Sequence, residues 1–365
     1  MDFTPTEAQA AARDLAAGVF ADLATHERLR AAGTGSDQEL WKALTGAGLV
    51  AAVGELGLLG LVLLLEEQGR TTAQVPYAAS CAFGLLAVAA HGTEEQRERL
   101  LPGIEDGSVV VAGAFPAQRG VRPAARGGLT GTVPVVPWLR DATHVLVADA
   151  GRRLWLVPLG AGGGTGVEET ELTAPWSAGR LTLHEAPAEP LGDAPGPGGP
   201  GGPGGPGGPG GPGGPGGAYA DVLAVARTAF AGLQAGVCAG SLARAVAHTN
   251  TREQFGRPLA TRQAVQLRAA DAHMDVEAIR VTAYEAAWRR DAGLPYATHA
   301  LTAAWWASEA GQRVVHTGQH LHGGAGADVT HPVHRHFLWG RQLDAYLGSG
   351  SEVLQELGEL IAHAD

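Results

Sequence analysis

The stretch NTREQFGRPLATRQAVQLRAADAHM, residues 250–274, decides how the rest of the chain is read. Before it, ADVLAVARTAFAGLQAGVCAGSLARAVAHTNT carries apolar residues at helical spacing. After it, TRQAVQLRAADAHMDVEAIRVTAYEAAWRR does the same, with Val265, Ala269, Ala272, Val276 and Ile279 on one stripe. The joint between these two long helices holds Arg252, Phe255 and Gly256. An arginine at such a turn offers a fixed fork of donors for an anion, strengthened where helix amide ends add positive potential. The plainer alternative is an exposed loop arginine. A shorter helix is expected around Trp305, then a glycine-rich loop, then a last helix from about Ser351. Residues 218–365 therefore read as a helical bundle.

Working back toward the N-terminus, residues 194–217 form a linker of Pro-Gly-Gly triplets. The run 195–217 holds 15 of the chain's 55 glycines and 8 of its 22 prolines. Such a run buries no apolar area and is expected to be a disordered spacer. Collagen is excluded, because the triplet is PGG rather than one rich in imino acids at two positions. Residues 109–193 are different again: SVVVAGAF, HVLVADA, RLWLVPL and GRLTLHE are short, β-like and bounded by Gly, Pro or Asp. Residues 1–108 are helical. Capping-box pairs are expected at Thr4 with Glu7, Ser36 with Glu39, and Thr93 with Gln96, with Pro102 ending the third helix. AAVGELGLLGLVLLLEEQGR and PYAASCAFGLLAVAAHG are too apolar all round for surface helices, so both are expected to be buried.

Composition narrows the function. The chain has 365 residues, 45% of them hydrophobic, enough for a sizeable core. A net charge of −11 repels a phosphate backbone, so nucleic acid is not an expected partner. The longest strongly apolar run, residues 56–65, is well short of the roughly 20 residues a bilayer needs, so no membrane span is expected. Two cysteines, Cys81 and Cys238, make no disulfide framework, and the N-terminus lacks a signal pattern, which points to the cytoplasm.

The joint motif, with Arg252, Phe255, Gly256 and Gln263, resembles the C-terminal domain of the acyl-CoA dehydrogenase family. LWKALTGAGL, EEQGR and HGTEEQRERLLPGIEDGS resemble its N-terminal domain, and LHGGAGADVTHPVHR its late loop. The resemblance implies an α+β, acyl-CoA dehydrogenase-like fold: N-terminal α-helical domain, middle β-domain, C-terminal α-helical bundle. It also implies FAD as cofactor. In that family the arginine and Gly-Gly elements of one subunit reach the FAD held mainly by its neighbour. Arg252, Phe255, Gln263, His322, Gly323 and Gly324 stand at those places, with Gln319 or His320 as a further contact.

The departures from the family pattern matter as much. The glutamate that takes the substrate's α-proton sits either in the C-terminal loop, where this chain has Leu347, or before an arginine on the first C-terminal helix, where it has Ala226 ahead of Arg227. Asp344 and Asp221 are the fallback carboxylates, each out of register. In the β-domain, the family's flavin-contacting stretches align with AFPAQRG, residues 114–120, which offers no acid or hydroxyl, and with PVVPWLRD, which places Trp138 near an expected threonine.

A chain with only the neighbour-facing half of a flavin site resembles the non-catalytic β-type subunit of actinobacterial α2β2 heterotetrameric acyl-CoA dehydrogenases of steroid side-chain degradation. The implied partners are a catalytic acyl-CoA dehydrogenase subunit that supplies the glutamate, a bulky acyl-CoA at the hetero-interface, and electron-transfer flavoprotein as acceptor. A scaffold without FAD and an autonomous flavoenzyme with an unusual base stand as alternatives. Six histidines between His316 and His336 lack the ligand pattern of a metal site, and no metal is expected.

Overall fold

The computed structural model describes residues 2–125, 127–160, 163–192 and 217–362. The N-terminal part is helical: α1 (Glu7–Leu23), α2 (His26–Ala31), α3 (Gln38–Gly46), α4 (Val53–Thr71), α5 (Tyr77–His91) and α6 (Glu94–Glu105). The helix starts differ from the expected ones in two of three cases. Thr6, not Thr4, caps α1 in a capping box with Gln9, and Asp37, not Ser36, caps α3. Asp37 wins because its carboxylate also pairs with Arg28 at 2.8 Å. Thr93 and Gln96 form the expected box, but Pro102 lies inside α6, which runs on to Glu105. The two strongly apolar helices, α4 and α5, are buried as expected.

The middle region is two four-stranded sheets. The first has the order β1 (Val111–Ala114), β4 (His144–Ala148), β5 (Leu154–Pro158), β8 (Glu189–Leu191); β1 and β4 are parallel and the rest antiparallel. The second is antiparallel: β2 (Arg122–Pro123), β3 (Leu129–Val136), β7 (Gly179–Ala186), β6 (Thr165–Glu169). Alternation sets the layering. Val145, Val147 and Val157 join Val133, Leu181 and Leu183 in a core between the sheets, while Leu146, Leu154 and Leu156 pack against the helices.

The C-terminal part is α7 (Gly217–Thr251), the hairpin β9 (Glu253–Gln254) and β10 (Arg257–Pro258), α8 (Gln263–Asp291), α9 (Ala297–His322), α10 (Pro332–Leu343) and α11 (Gly350–Ala362). The shorter helix expected around Trp305 is α9, with 26 residues against 35 in α7 and 29 in α8. By length and composition α7 matches a membrane span, but 89% of its most apolar window is buried against protein. Residues of α4, α5, α7, α8 and α9 share one apolar cluster, so the two helical parts have a single core. Polar ties reinforce it. The Asp291 carboxylate accepts from the N–H groups of Leu58 and Leu59, both at 2.8 Å, just after a kink at Gly57. Gly57 has φ 72°, and a Cβ there would lie 2.7 Å from the Asp291 carboxyl carbon, so only glycine fits.

Gly217, expected to end the linker, instead opens α7; the rest of the triplet tract lies outside the described residues. Its two flanks are in contact: a Cβ placed on Gly192 would lie 2.9 Å from that of Ala218.

Candidate functional site

The expected base positions face inward. Ala226 is fully buried on α7, and Leu347 lies in the loop between α10 and α11. Arg227, 6% exposed, donates from Nε to the Leu347 carbonyl at 3.2 Å and pairs with Glu356 of α11 at 2.8 Å. This arginine is spent on holding the last helix in place. The cavity beside it, lined by Arg227, Phe230, Ala304, Tyr346 and Leu347, measures about 20 Å³. That admits one water and no acyl chain.

Neither fallback carboxylate is free to act as a base. Asp344 accepts from the Ser308 hydroxyl at 2.9 Å and pairs with Arg341 at 2.9 Å. Asp221 is buried between His91 Nε2 at 2.7 Å and the Tyr296 hydroxyl at 2.5 Å, with Arg290 at 3.8 Å. Burial pushes Asp221 upward, but His91, Arg290 and Tyr296 outweigh it and leave the carboxyl below its ordinary value. A general base near neutrality needs the opposite shift. Both residues are structural ties.

Beside the small cavity lies an aromatic cluster drawn from separate segments of the chain. Trp138 stacks on Trp176 with ring centroids 4.3 Å apart, and Phe230 lies 6.1 Å from Trp138. Trp176 meets Trp339 edge-on at 5.3 Å, and Phe230 meets Tyr346 at 4.9 Å. The three indoles are sealed from solvent, and the N–H groups of Trp138, Trp176 and Trp339 and the Tyr346 hydroxyl find no partner among the described residues. Sequence reasoning picked out Trp138 but not its companions, because nothing local in the chain links them. In the neighbouring stretch the Gln118 amide donates to the nearby Pro116 carbonyl at 2.6 Å, and Phe115 stacks on Phe83 and Tyr219.

The other set of residues faces outward. After α7 the chain makes a two-residue hairpin whose tip, Phe255 and Gly256, has φ 56° and 77°. Both left-handed positions match the primed turn that suits a tight hairpin, a place normally taken by Asn or Gly. A phenylalanine there costs roughly 1–2 kcal/mol. Phe255 is 90% exposed, with the Arg262 guanidinium over its ring at 5.1 Å. That one cation–π contact at an exposed site is small beside the strain, and strain of this kind gathers at ligand clamps. Arg252 and Gln263, which flank the hairpin, are also exposed.

On the adjoining loop Gly323 and Gly324 are exposed, and Gly323 has φ 62°. The structure separates the two expected neighbours of this turn. Gln319 donates its amide back to the Gly326 carbonyl at 3.3 Å, so it braces the turn from within. His320 is exposed and lines an open groove between α8 and α9 of about 690 Å³, together with Arg268, Asp271, Met274, Arg313 and His316. His322, expected among the contacts, is buried; it stacks on His248 and so joins the Gly-Gly turn to the end of α7 that carries Arg252. Among the described residues no three His, Cys, Asp or Glu side chains converge as metal ligands would.

Comparisons with known proteins agree with this architecture. The acyl-CoA dehydrogenase N-terminal domain matches residues 6–108 and the acyl-CoA dehydrogenase C-terminal domain residues 217–358. Acyl-CoA dehydrogenase FadE27 of Mycobacterium tuberculosis is 32% identical, covering 99% of each chain. Among solved structures, a variant of the Tcur3481–Tcur3483 steroid ACAD superposes with TM-score 0.86 at 41% identity over 98% of this chain and 99% of that one. The ChsE4–ChsE5 complex from M. tuberculosis superposes with TM-score 0.85 at 30% identity over the whole of both. With both helical domains matched and a relative aligned along nearly its full length, the chain belongs to the acyl-CoA dehydrogenase family, whose enzymes are FAD-dependent flavoproteins.

Proposed function

We propose that this chain is the β-type subunit of an FAD-dependent acyl-CoA dehydrogenase complex, completing a flavin site whose ring and catalytic glutamate belong to a partner subunit. The observation that carries this reading is the stacking of Trp138, in the segment that aligns with the family's flavin-ring contact, on the equally sealed Trp176. FAD does not fit there: the space is filled with rings, and residues 114–120 offer no acid or hydroxyl. It does fit the outward elements, where Arg252 would hold the pyrophosphate, Phe255 an apolar edge, and Gln263, His320, Gly323 and Gly324 the remaining contacts. When bound, the flavin supplies the hydride acceptor; the partner's glutamate takes the α-proton, since Leu347 and Ala226 accept none.

Two further features support a partner on this face. Leu267, Met274 and Val281 recur every seven residues along α8 and are 57%, 64% and 46% exposed, an apolar ridge beside the open groove. Both solved relatives are named as paired chains, and one is named a steroid dehydrogenase, which favours a bulky, steroid-type acyl-CoA as substrate. Electron-transfer flavoprotein as acceptor and a cytoplasmic location complete the proposal. The occupied roles of Asp344 and Asp221 argue against an autonomous enzyme.

The test is the visible flavin band of the protein purified alone and then with a catalytic acyl-CoA dehydrogenase partner. A colourless chain and a yellow complex are expected. A yellow chain alone would overturn the reading, and a colourless complex would favour a scaffold.

A further inference from the structure

Three imidazoles meet where the Arg252 hairpin joins the Gly-Gly turn. His248 lies one helical turn before Arg252, and its ring stacks on His322 with centroids 4.7 Å apart. His322 immediately precedes Gly323, and His331, the N-cap of α10, meets it edge-on at 5.0 Å. Backbone partners fix two of the rings. His322 Nδ1 donates to the Gly318 carbonyl at 2.7 Å, and His331 Nδ1 accepts from the Val333 N–H at 3.2 Å.

The charges around them are nearly all of one sign. Arg244 of α7 faces His331, and Arg252, just past the end of α7, faces His248; Arg244 also lies near His336 of α10, beside Arg335. Arg335 is itself mostly buried, bonded to Gln74 Oε1 at 2.7 Å rather than to a carboxylate. Asp328 is the acid that faces His331, and it is shared with Arg30 of α2. Burial, then His322 and Arg252, hold His248 below the ordinary histidine value. Burial, then His322, Arg244 and His248, do the same to His331, with Asp328 pulling the other way.

We propose that His248 is a positioning residue for the outward half-site: its ring, clamped on His322, fixes the Arg252 hairpin against the Gly323–Gly324 turn. This rests on the shared-site reading above for its effect on flavin, though not for the clamp itself. The sign follows from the depressed values. The neutral forms of His248 and His331 are favoured in the folded state, so the clamp is at full strength above the unfolded histidine value near 6.5 and weakens as pH falls through their lower folded values. Because the rings interact, protons enter the group in coupled steps.

Two measurements test it. In the chain alone, histidine NMR titrations of the wild type and His248→Phe read the clamp without any flavin. His331 should titrate below its ordinary value in the wild type and move upward in His248→Phe, because a cationic neighbour is gone; an unmoved His331 would refute the clamp. In the partnered complex, FAD retention is followed between about pH 5 and 8. The wild type should lose flavin as pH falls below about 6.5. His248→Ala should weaken FAD roughly tenfold where the wild-type clamp is intact, above about pH 6.5, and by less below it, while His248→Phe, which keeps a stacked ring with no proton to gain, should restore affinity and flatten the pH profile. A His248→Phe complex that loses flavin at the same pH as the wild type would overturn the proposal. A complex with no flavin at any pH would sink the shared-site reading instead, leaving the NMR result to decide the clamp.

Discussion

The inward and outward halves of this molecule carry motifs of the same family and have diverged in opposite directions. Inside, Leu347, Arg227, Trp138, Trp176 and Tyr346 fill their space so fully that the remaining cavity is about 20 Å³. Outside, Arg252, Phe255, Gln263 and His320 stand in solvent beside a groove of about 690 Å³, and Phe255 holds a backbone conformation its own chain does not need. The inner residues contribute to stability and make no site. The outer ones are exposed, and on the reading proposed above they face a partner subunit. On that reading a residue's energetic role separates the two halves: one contributes to the fold, the other to an interface.

That contrast is open to direct attack. The largest effect is expected from Trp138→Ala, which should cost the isolated chain about 3–5 kcal/mol in denaturant unfolding. An unchanged midpoint, or a variant that takes up FAD alone, would break the comparison. Acid should also loosen the fold itself, through a buried histidine of α10. Burial holds His336 down to about 4 from 6.5, so its stabilising neutrality is complete above pH 6.5 and is lost as pH falls toward about 4. At about 1.36 kcal/mol per pH unit this is on the order of 3 kcal/mol, and unfolding midpoints across that window should flatten in His336→Gln.

For the outward half the readout moves to the complex. Arg252→Ala should weaken FAD by about 1.5–3 kcal/mol, the worth of a hydrogen bond to a charged group, while leaving the unfolding of the isolated chain within about 0.5 kcal/mol of wild type. The smallest effect sharpens the contrast most. Phe255→Gly should stabilise the isolated chain by about 1 kcal/mol, by releasing the left-handed strain, and still lower flavin affinity in the complex. Equal destabilisation in both settings would mean that Phe255 is ordinary structure.

Much of the fold was legible because apolar period is a local property. The helices around α4, α5, α7 and α8 and four of the strands could be read from it. Strand β3 could not, since Gly131 and Pro134 interrupt its alternation and its pairing with β7 shifts register twice. Helix starts slipped where two capping residues compete, as Thr4 with Thr6 and Ser36 with Asp37, and a distant partner such as Arg28 settled one of them. The ties that join the helical parts were invisible: Asp291 caps a helix more than 200 residues earlier, and the buried Glu66 is held by Arg280 and Tyr284. The site divides in the same way. Arg252, Phe255 and Gln263 are neighbours in sequence and could be read as a motif. Trp176, Phe230 and Trp339 come together around Trp138 only once the chain has folded.

The contact between Gly192 and Ala218 has a consequence for the topology of the chain. Gly192 and Ala218, the described residues on either side of the tract, lie side by side, so the seam between β8 and α7 is closed by described residues alone. Halving the length of a flexible loop returns only about 0.6 kcal/mol, so a shortened tract should leave denaturant unfolding nearly unchanged. The same seam is a natural place for insertion of a reporter domain, and such an insertion should leave the helical core and the hairpin intact.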